Sequence, residues 1–350
     1  MTKNLTIGNR LIGDDMPPYV ICEISGNHNG CIERAKKLIT EGAKTGCDAI
    51  KLQTYTPDTL TLDSNKSDFL IDRGLWAGSS LYELYGKAHT PFEWHEELFS
   101  HARNLGVTLI STPFDKSAVD LLERLDVPAY KIASFEIVDL ELISYVASKK
   151  KPIIISTGLA NVEEIEAALD AAHRQDNFEI ILLHCISSYP APSEDANLRT
   201  IPDMRRRFDC LIGLSDHTYG TATSVASIAL GSVLIEKHFT LSRADGGPDA
   251  DFSLEPAEFT SLCKDCSDAF KSLGQASYHV KGSEVYNVKF RRSLYFSKDM
   301  KKGDTINEDS VRCVRPGYGL QPKFLDQIIG KKIIKNVDFG DRVTWEVIKK

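Results

Sequence analysis

No stretch of this sequence is apolar over the roughly 20 residues that a bilayer-spanning helix needs. The start, Met1-Thr2-Lys3-Asn4-Leu5-Thr6, has no apolar signal-peptide core. Positive charge is scarce: 42 Lys and Arg against 49 Asp and Glu give a net charge of -7 over 350 residues. That excludes a partner bound by charge alone, such as non-specific nucleic acid. An anionic substrate would need a local cluster of Lys and Arg against this background. The eight cysteines, Cys22, Cys31, Cys47, Cys185, Cys210, Cys263, Cys266 and Cys313, form no paired pattern. Cys263-Lys264-Asp265-Cys266 is a lone CxxC with no second pair nearby, whereas a zinc signature needs four ligands. Reduced thiols and a cytoplasmic protein without membrane contact are the expectation.

What is present is a regular alternation. Residues 1–18 read as a short hairpin or arm closed by Pro17-Pro18, and Tyr19–Glu23 as a strand. Cys31–Gly46 has helical spacing at Ala35, Leu38, Ile39 and Ala43, and Asp48–Leu52 is the next strand. A polar, aromatic-containing insertion from Gln53 to about Thr90 reads as a lid or substrate wall. Helix Pro91–Gly106 follows, then strands at Val107–Ser111, Ala129–Ile132, Pro152–Ser156, Glu179–His184, from Leu211 and from Val233, each followed by a helix or irregular turn. Strand then helix, repeated eight times over about 240 residues, predicts a (β/α)₈ TIM barrel. Composition shifts near Gly282. The domains are therefore expected at 1–282 and 283–350, with 283–291 as linker and a small β-rich tail of about sixty residues, marginal by itself.

The chemistry lies where polar residues meet strand ends. Glu23, Lys51, Ser111-Thr112, Lys131 with Ser134 and Glu136, Ser156-Thr157, His184 with Ser187 and Tyr189, Asp216-His217 and Lys237-His238 close eight successive strands. Barrel enzymes build their sites on that face. Strands also end at polar residues for no functional reason, which explains Ser and Thr better than it explains Glu, Lys and His. Lys51 and Lys131 aimed at one volume repel unless a multiply charged anion lies between them. The competing account is a buried ion pair with Glu23 or Glu136. Hydroxyls of Ser134, Ser156 and Ser187 could complete a phosphate or carboxylate cradle. His217 and His238, equivalently placed on neighbouring strands, could hold a divalent ion with open positions. Two hydrogen-bonded core histidines are the alternative. His184, followed at once by Cys185, reads as a supporting histidine. Glu23, on the strand that adjoins the last one when the barrel closes, is a candidate acid/base.

At these residues the sequence resembles the N-acetylneuraminic (sialic) acid synthase family, its pseudaminic acid synthase branch most closely. The matching pieces include Glu23 with Asn27-His28-Asn29-Gly30, Lys51-Leu52-Gln53-Thr54, Ser111-Thr112-Pro113-Phe114-Asp115, Tyr130-Lys131-Ile132, Ser215-Asp216-His217-Thr218, Glu236-Lys237-His238-Phe239-Thr240 and Gly247-Pro248-Asp249. The tail with Arg315-Pro316-Gly317 is similar to the family's antifreeze-like (SAF) domain. The resemblance implies condensation of phosphoenolpyruvate (PEP) with the open-chain aldehyde of an N-acetylated amino sugar. It implies Mn²⁺ or Mg²⁺, with Co²⁺ also possible, on His217 and His238. PEP would be held by Lys51, Lys131, Ser134, Ser156 and Ser187, and the sugar by Glu136, Tyr189, Asp249 and Arg315. Glu23 would handle the proton of water or of a sugar hydroxyl. A domain-swapped homodimer would bring Arg315 in from the partner subunit. Ser134-Phe135-Glu136 carries Phe where sialic acid synthases usually have Gly, which narrows the pocket and suits a methyl group. The implied acceptor is 2,4-diacetamido-2,4,6-trideoxy-L-altrose, and sialic or legionaminic acid synthesis from another sugar is the alternative. Two readings of other classes compete: a Schiff-base aldolase with Lys131 as nucleophile, and a non-catalytic carbohydrate- or ice-binding protein.

Overall fold

The computed structural model describes residues 4–349. Residues 1–3 and 350, with the first part of the expected arm and the outer ends of both expected domains, lie outside the described residues. Strands β1 (Asn4–Ile7) and β2 (Arg10–Gly13) pair as an antiparallel hairpin. Gly8 turns it with φ +59°, and a Cβ there would come within 2.6 Å of Thr108 Oγ1. The hairpin buries Leu5, Ile7 and Ile12 in the main core.

Eight parallel strands then close a barrel: β3 (Tyr19–Glu23), β4 (Ala49–Thr54), β5 (Thr108–Pro113), β6 (Tyr130–Ile132), β7 (Ile153–Ser156), β8 (Ile180–Cys185), β9 (Leu211–Asp216) and β10 (Leu234–His238). They lie in sequence order, and β10 pairs with β3 to complete the ring. Helices α1 (Ile32–Lys44), α2 (Pro57–Leu60), α3 (Leu81–Ala88), α4 (His95–Leu105), α5 (Lys116–Arg124), α6 (Leu140–Ala147), α7 (Val162–His173), α8 (Thr200–Arg207), α9 (Ala222–Ala229) and α10 (Pro256–Leu273) fill the connections. Parallel strands covered by helices are buried on both faces, which is why β3, β7, β8, β9 and β10 are buried at every residue. The helices dock along apolar stripes. Helix α1 buries Ala35, Leu38, Ile39 and Gly42, at helical spacing. Gly42 lets it approach closely, since a Cβ there would meet Cys22 Sγ and Ile50 Cδ1 at 3.2 Å. Asp115 caps α5 by accepting from the backbone of Ser117 and Ala118, and Asn161 with Glu164 forms a capping box on α7.

Strands β4 and β5 run past the sequence expectation, to Thr54 and Pro113. Their ladder continues through Gln53↔Thr112 and Thr54↔Pro113. Pairing between neighbours, which local propensity does not encode, sets that length. The insertion that follows β4 carries its own structure: α2, a 3₁₀ turn at Ser67–Phe69 and α3.

Two buried histidines anchor the ends of this insertion. His95 Nδ1–H donates to the Pro91 carbonyl at 3.0 Å, so Nε2 accepts from Thr54 Oγ1 at 2.7 Å. Thr54 in turn meets Ser111 Oγ at 2.6 Å on β5. His28 Nδ1 accepts from the Gly30 N–H at 3.1 Å, and its ring meets Trp94 edge-on.

The chain divides into two compact units, Met1–Gly274 and Gln275–Lys350. The division falls earlier than the expected one after residue 282, because α10 ends at Leu273. The linker expected at 283–291 is, up to residue 290, a 3₁₀ helix spanning Gly282–Phe290. The second unit pairs β11 (Ser293–Phe296) with β12 (Val311–Val314) and holds the short α11 (Leu325–Ile328). Isolated bridges such as Met300↔Val337 and Ile333↔Ile348 extend its β character. It has a core of its own, with Leu294, Phe296, Ile306, Ile328 and Val343 among its buried residues.

Burial depresses the pKa of His28 and His95 to about 4. The unfolded chain, with imidazoles near pH 6.5, therefore binds more protons than the folded one between about pH 6.5 and 4. Stability is present above that window and is lost as pH falls through it, by up to about 3 kcal/mol per histidine. Urea unfolding at pH 7.5 and pH 5 should show this loss, and His95→Gln should shrink it; an unchanged pH slope in the variant would contradict the assignment.

Candidate active site

Four charges meet at the C-terminal mouth of the barrel. Lys51 stands opposite Glu23 in the β3–β4 register, and its Nζ lies 2.6 Å from Glu23 Oε2. The same ammonium is 3.6 Å from Glu236 Oε2 and donates to Thr112 Oγ1 at 3.2 Å. Lys131 Nζ lies 3.8 Å from Glu236 Oε1 and donates to Ser156 Oγ at 2.7 Å. Glu236 also accepts from Ser215 Oγ at 3.1 Å. One buried carboxylate thus sits between both lysines. All four side chains are at most 5% exposed. The ion-pair account of the lysines is correct for Lys51 with Glu23. For Lys131 the partner is Glu236 and not Glu136.

Burial shapes the protonation of this cluster. It works against the charge on Lys51, but Glu23 and Glu236 outweigh it and hold that ammonium ionised. Burial likewise opposes ionisation of Glu236, yet Lys131 and Lys51 hold its carboxyl below the ordinary value. Lys131 is pulled down by burial, which Glu236 only partly offsets. Glu23 goes the other way. Burial, with the Glu236 charge beside it, pushes its carboxyl up to about 7 despite Lys51. Lys51 thus has two carboxylates to hold its charge, Glu23 at 2.6 Å and Glu236 at 3.6 Å. Glu23 Oε1 also accepts from the Ser25 N–H at 2.8 Å.

His217, one residue past β9, and His238, the last of β10, have ring centroids 5.3 Å apart. His217 Nδ1–H donates to the Ile186 carbonyl at 2.9 Å, which in the neutral ring leaves Nε2 as the lone-pair nitrogen; burial opposes protonation there, but the Cys185 thiol outweighs it and raises the imidazole pKa. His238 Nδ1 is buried with no hydrogen-bond partner, and Asp249 Oδ2 is 3.8 Å away. Burial and the neighbouring cations keep the His238 ring neutral. The residues just before the two histidines set their spacing. Lys237 Nζ pairs with Asp216 Oδ2 at 2.9 Å and donates to the Thr218 carbonyl at 2.7 Å. Asp216 also accepts from Ser224 Oγ and from the N–H and hydroxyl of Thr218. This buried network ties β9 to β10 one residue from the imidazoles. Among the described residues no group of three or more His, Cys, Asp or Glu is arranged to hold a metal ion. Two imidazoles, one with a free buried nitrogen, fit a divalent first-row ion whose other positions are left to water or substrate. They do not fit a closed structural site.

The hydroxyls gather beside Lys131. Gly158 N–H donates to Ser134 Oγ at 3.2 Å, and a Cβ at Gly158 would fall 2.2 Å from Ser187 Oγ and 2.8 Å from Ser134 Oγ. Ser134, Ser156 and Ser187 are therefore gathered in one place, and the bare glycine makes room for them. Tyr189 lies over His217, with centroids 4.4 Å apart. Phe252 flanks His238 at 4.9 Å. Asp249 is buried and accepts from Ser25 Oγ. Glu136 sits on the 3₁₀ turn after β6, where burial pushes its carboxyl up to about 7 and Oε2 has no partner. Phe135 on the same turn is 57% exposed and offers an apolar surface. His184 turns away from this cluster toward its own loop, where Nε2–H donates to the Ala196 carbonyl at 2.6 Å. Arg315 lies in the second unit and is exposed.

Several residues of the cluster escaped the sequence reading. Glu236 is the main one, although side chains at 236 and 238 share a strand face by the period of two. Cys185, 3.8 Å from His217 Nδ1, follows from the same argument on β8. Phe252 sits in an irregular loop with no periodicity to betray it.

The sequence model of the NeuB family matches residues 38–278, and that of the SAF domain matches residues 291–349. The chain belongs to the NeuB family. Its NeuB relatives include pseudaminic acid synthase of Campylobacter jejuni, 43% identical over 337 residues, covering 96% of this chain and 98% of that protein. Pseudaminic acid synthase of Helicobacter pylori is 42% identical over 320 residues, covering 91% and 94%. A crystal structure of N-acetylneuraminic acid synthetase from Leptospira borgpetersenii in complex with citrate superposes with a TM-score of 0.73 at 30% identity, covering 83% of this chain and 97% of that one. The barrel and the SAF domain expected from the sequence are thus both present in this NeuB chain.

The Asp216–Lys237 network has a measurable weight. Lys237→Met leaves a carboxylate buried and unpaired, and breaking such a pair costs about 3–5 kcal/mol. Urea denaturation should show that loss, and a change below about 1 kcal/mol, the range of exposed pairs, would contradict a tie between the strands.

Proposed function

We propose that this chain is a transferase that joins PEP to 2,4-diacetamido-2,4,6-trideoxy-L-altrose, giving pseudaminic acid and phosphate. The observation that carries the reaction class is the convergence of Lys51 and Lys131, with three serine hydroxyls, beside the paired imidazoles of His217 and His238. Such a pocket suits a compact polyanion next to a polar acceptor. The choice of acceptor rests on the relatives at 42–43% identity, whose names specify pseudaminic acid. A sialic or legionaminic acid synthase is the second reading, and the Leptospira structure, at 30% identity, supports it less.

In this reading Lys51, Lys131, Ser134, Ser156 and Ser187 hold the phosphate and carboxylate of PEP. Entry of PEP redistributes the lysines from Glu23 and Glu236 onto the substrate. Glu236 keeps the two ammonium groups apart and charged meanwhile. Tyr189, Asp249 and Glu136 contact the sugar. A divalent ion on His217 and His238, Mn²⁺, Mg²⁺ or Co²⁺, would polarise the acceptor aldehyde and orient it. Carbon 3 of PEP attacks the aldehyde carbon, whose oxygen takes up a proton to become a hydroxyl; water adds at carbon 2, giving up a proton; the C–O bond to phosphate then breaks as the carbon-2 hydroxyl loses its proton and the ketone forms. Glu23 accepts the proton of that water or of a sugar hydroxyl. A carboxyl held near 7 is well matched to such a transfer at neutral pH. The second unit acts in a homodimer, where Arg315 reaches the partner's sugar. The exposed Tyr278, Val285 and Tyr286 ahead of it give that arm an apolar surface to bury. The protein works in the cytoplasm, and no helix among the described residues is long and apolar enough to cross a membrane.

The test is phosphate release across an acceptor panel of the altrose derivative, N-acetylmannosamine and other diacetamido sugars. Release should need both PEP and sugar, favour the altrose derivative and stop with a chelator. His238→Ala should lower turnover by about 10²-fold or more, as loss of a positioned catalytic group does, with weaker metal binding and an unchanged fold. Wild-type turnover in that variant would remove the metal assignment. A borohydride-trapped adduct on Lys131, insensitive to chelator, would replace the whole reading with the aldolase.

A further inference from the structure

The insertion after β4 reads from the sequence as a lid or substrate wall, and its contacts define the part it plays. Residues 71–79 form a loop closed on itself, with Ile71 N–H donating to Ser79 O at 3.0 Å and Gly78 N–H to Ile71 O at 2.9 Å. From Asp72 to Gly78 every residue is exposed except Trp76. The loop tip therefore rests on one indole. Trp76 Nε1–H donates to the Pro248 carbonyl at 2.9 Å, on the loop that also carries Asp249. Its ring lies 5.9 Å from that of Tyr189, tilted by 49°. Tyr189 in turn covers His217. Beneath the loop runs a cleft of about 530 Å³ lined by Leu75, Trp76, Lys87 and Pro248, so the tip is not seated on a packed base.

A surface loop that spends a tryptophan on two neighbouring loops of the barrel mouth is built to shape that mouth. The indole reaches both loops that the acceptor would touch, and it does not reach the Lys51–Lys131 end of the pocket through any contact described above. We propose that Trp76 is a specificity-determining residue for the acceptor: it closes the sugar end of the pocket and positions Tyr189 and the Pro248-Asp249 turn against an N-acetylated sugar. This rests on the proposed function. The indole serves sugar binding and leaves PEP binding alone. Its two contacts have separate parts, since the ring props Tyr189 while the N–H holds the turn.

Steady-state kinetics with PEP and 2,4-diacetamido-2,4,6-trideoxy-L-altrose test this, on wild type, Trp76→Ala and Trp76→Phe. Trp76→Ala should raise the acceptor KM by about tenfold, as loss of an aromatic contact plus a hydrogen bond does. The PEP KM should stay unchanged, and Trp76→Phe, which keeps a ring, should recover part of the loss. Fluorescence should also respond when the sugar is added without PEP, and that response should vanish in Trp76→Phe while Trp94 and Trp345 remain. Because the loop is exposed, melting temperatures should match wild type. An unmoved acceptor KM in Trp76→Ala, or an equal rise for both substrates, overturns the role of the indole. A wild type that releases no phosphate from this substrate pair strikes the proposed function itself, and is thereby distinguished from failure of the indole alone.

Discussion

The structure depends on keeping two ammonium groups and two carboxylates ionisable in a place where water hardly reaches. Removing charges from water costs several kcal/mol each, and the cost is recovered only by close, well-directed partners. Glu236 lies between Lys51 and Lys131 and supplies that partner to both. Lys51 therefore keeps a second carboxylate when Glu23 takes up a proton. With Glu23 protonated, two lysines and one carboxylate leave a surplus of positive charge that an anion can neutralise. In a chain of net charge -7, this buried spot gathers two lysines.

The closed parallel barrel makes this arrangement possible. Its strands end together, so side chains far apart in sequence come within hydrogen-bond reach. The second buried pair, Asp216 with Lys237, works on the other side of the same strand ends. It fixes the loop after β9 against β10 and so fixes how far apart the two imidazoles stand. The insertion adds a third layer, anchored at its ends through His95 and His28 and at its tip through Trp76. Charge, spacing and cover are thus separate devices, each carried by different residues around one mouth.

Much of this was legible in the sequence, and the reasons differ by feature. The eight-fold strand and helix rhythm is a direct product of buried parallel strands, whose apolar runs are hard to mistake. The polar residues closing those runs marked the mouth, and the structure gathers Glu23, Lys51, Lys131, Ser134, Ser156, Ser187, Tyr189, His217, His238 and Asp249 there. What was hidden depended on pairing. Glu236 passes for one of three polar residues at a strand end until the register places it between two lysines. The last two residues of β4 and β5 became strand only because each found a neighbour. The boundary between the two units fell where α10 stops and not where composition changes.

The claim on which the rest hangs is that both lysines grip one anion. Calorimetric titration of PEP into the wild type, Lys51→Met and Lys131→Met, without acceptor, tests it most directly. Removing one partner of a buried charge pair across a binding interface costs about 2–5 kcal/mol, so each variant should bind PEP about thirtyfold more weakly or worse. Wild-type PEP affinity in either variant would contradict the account.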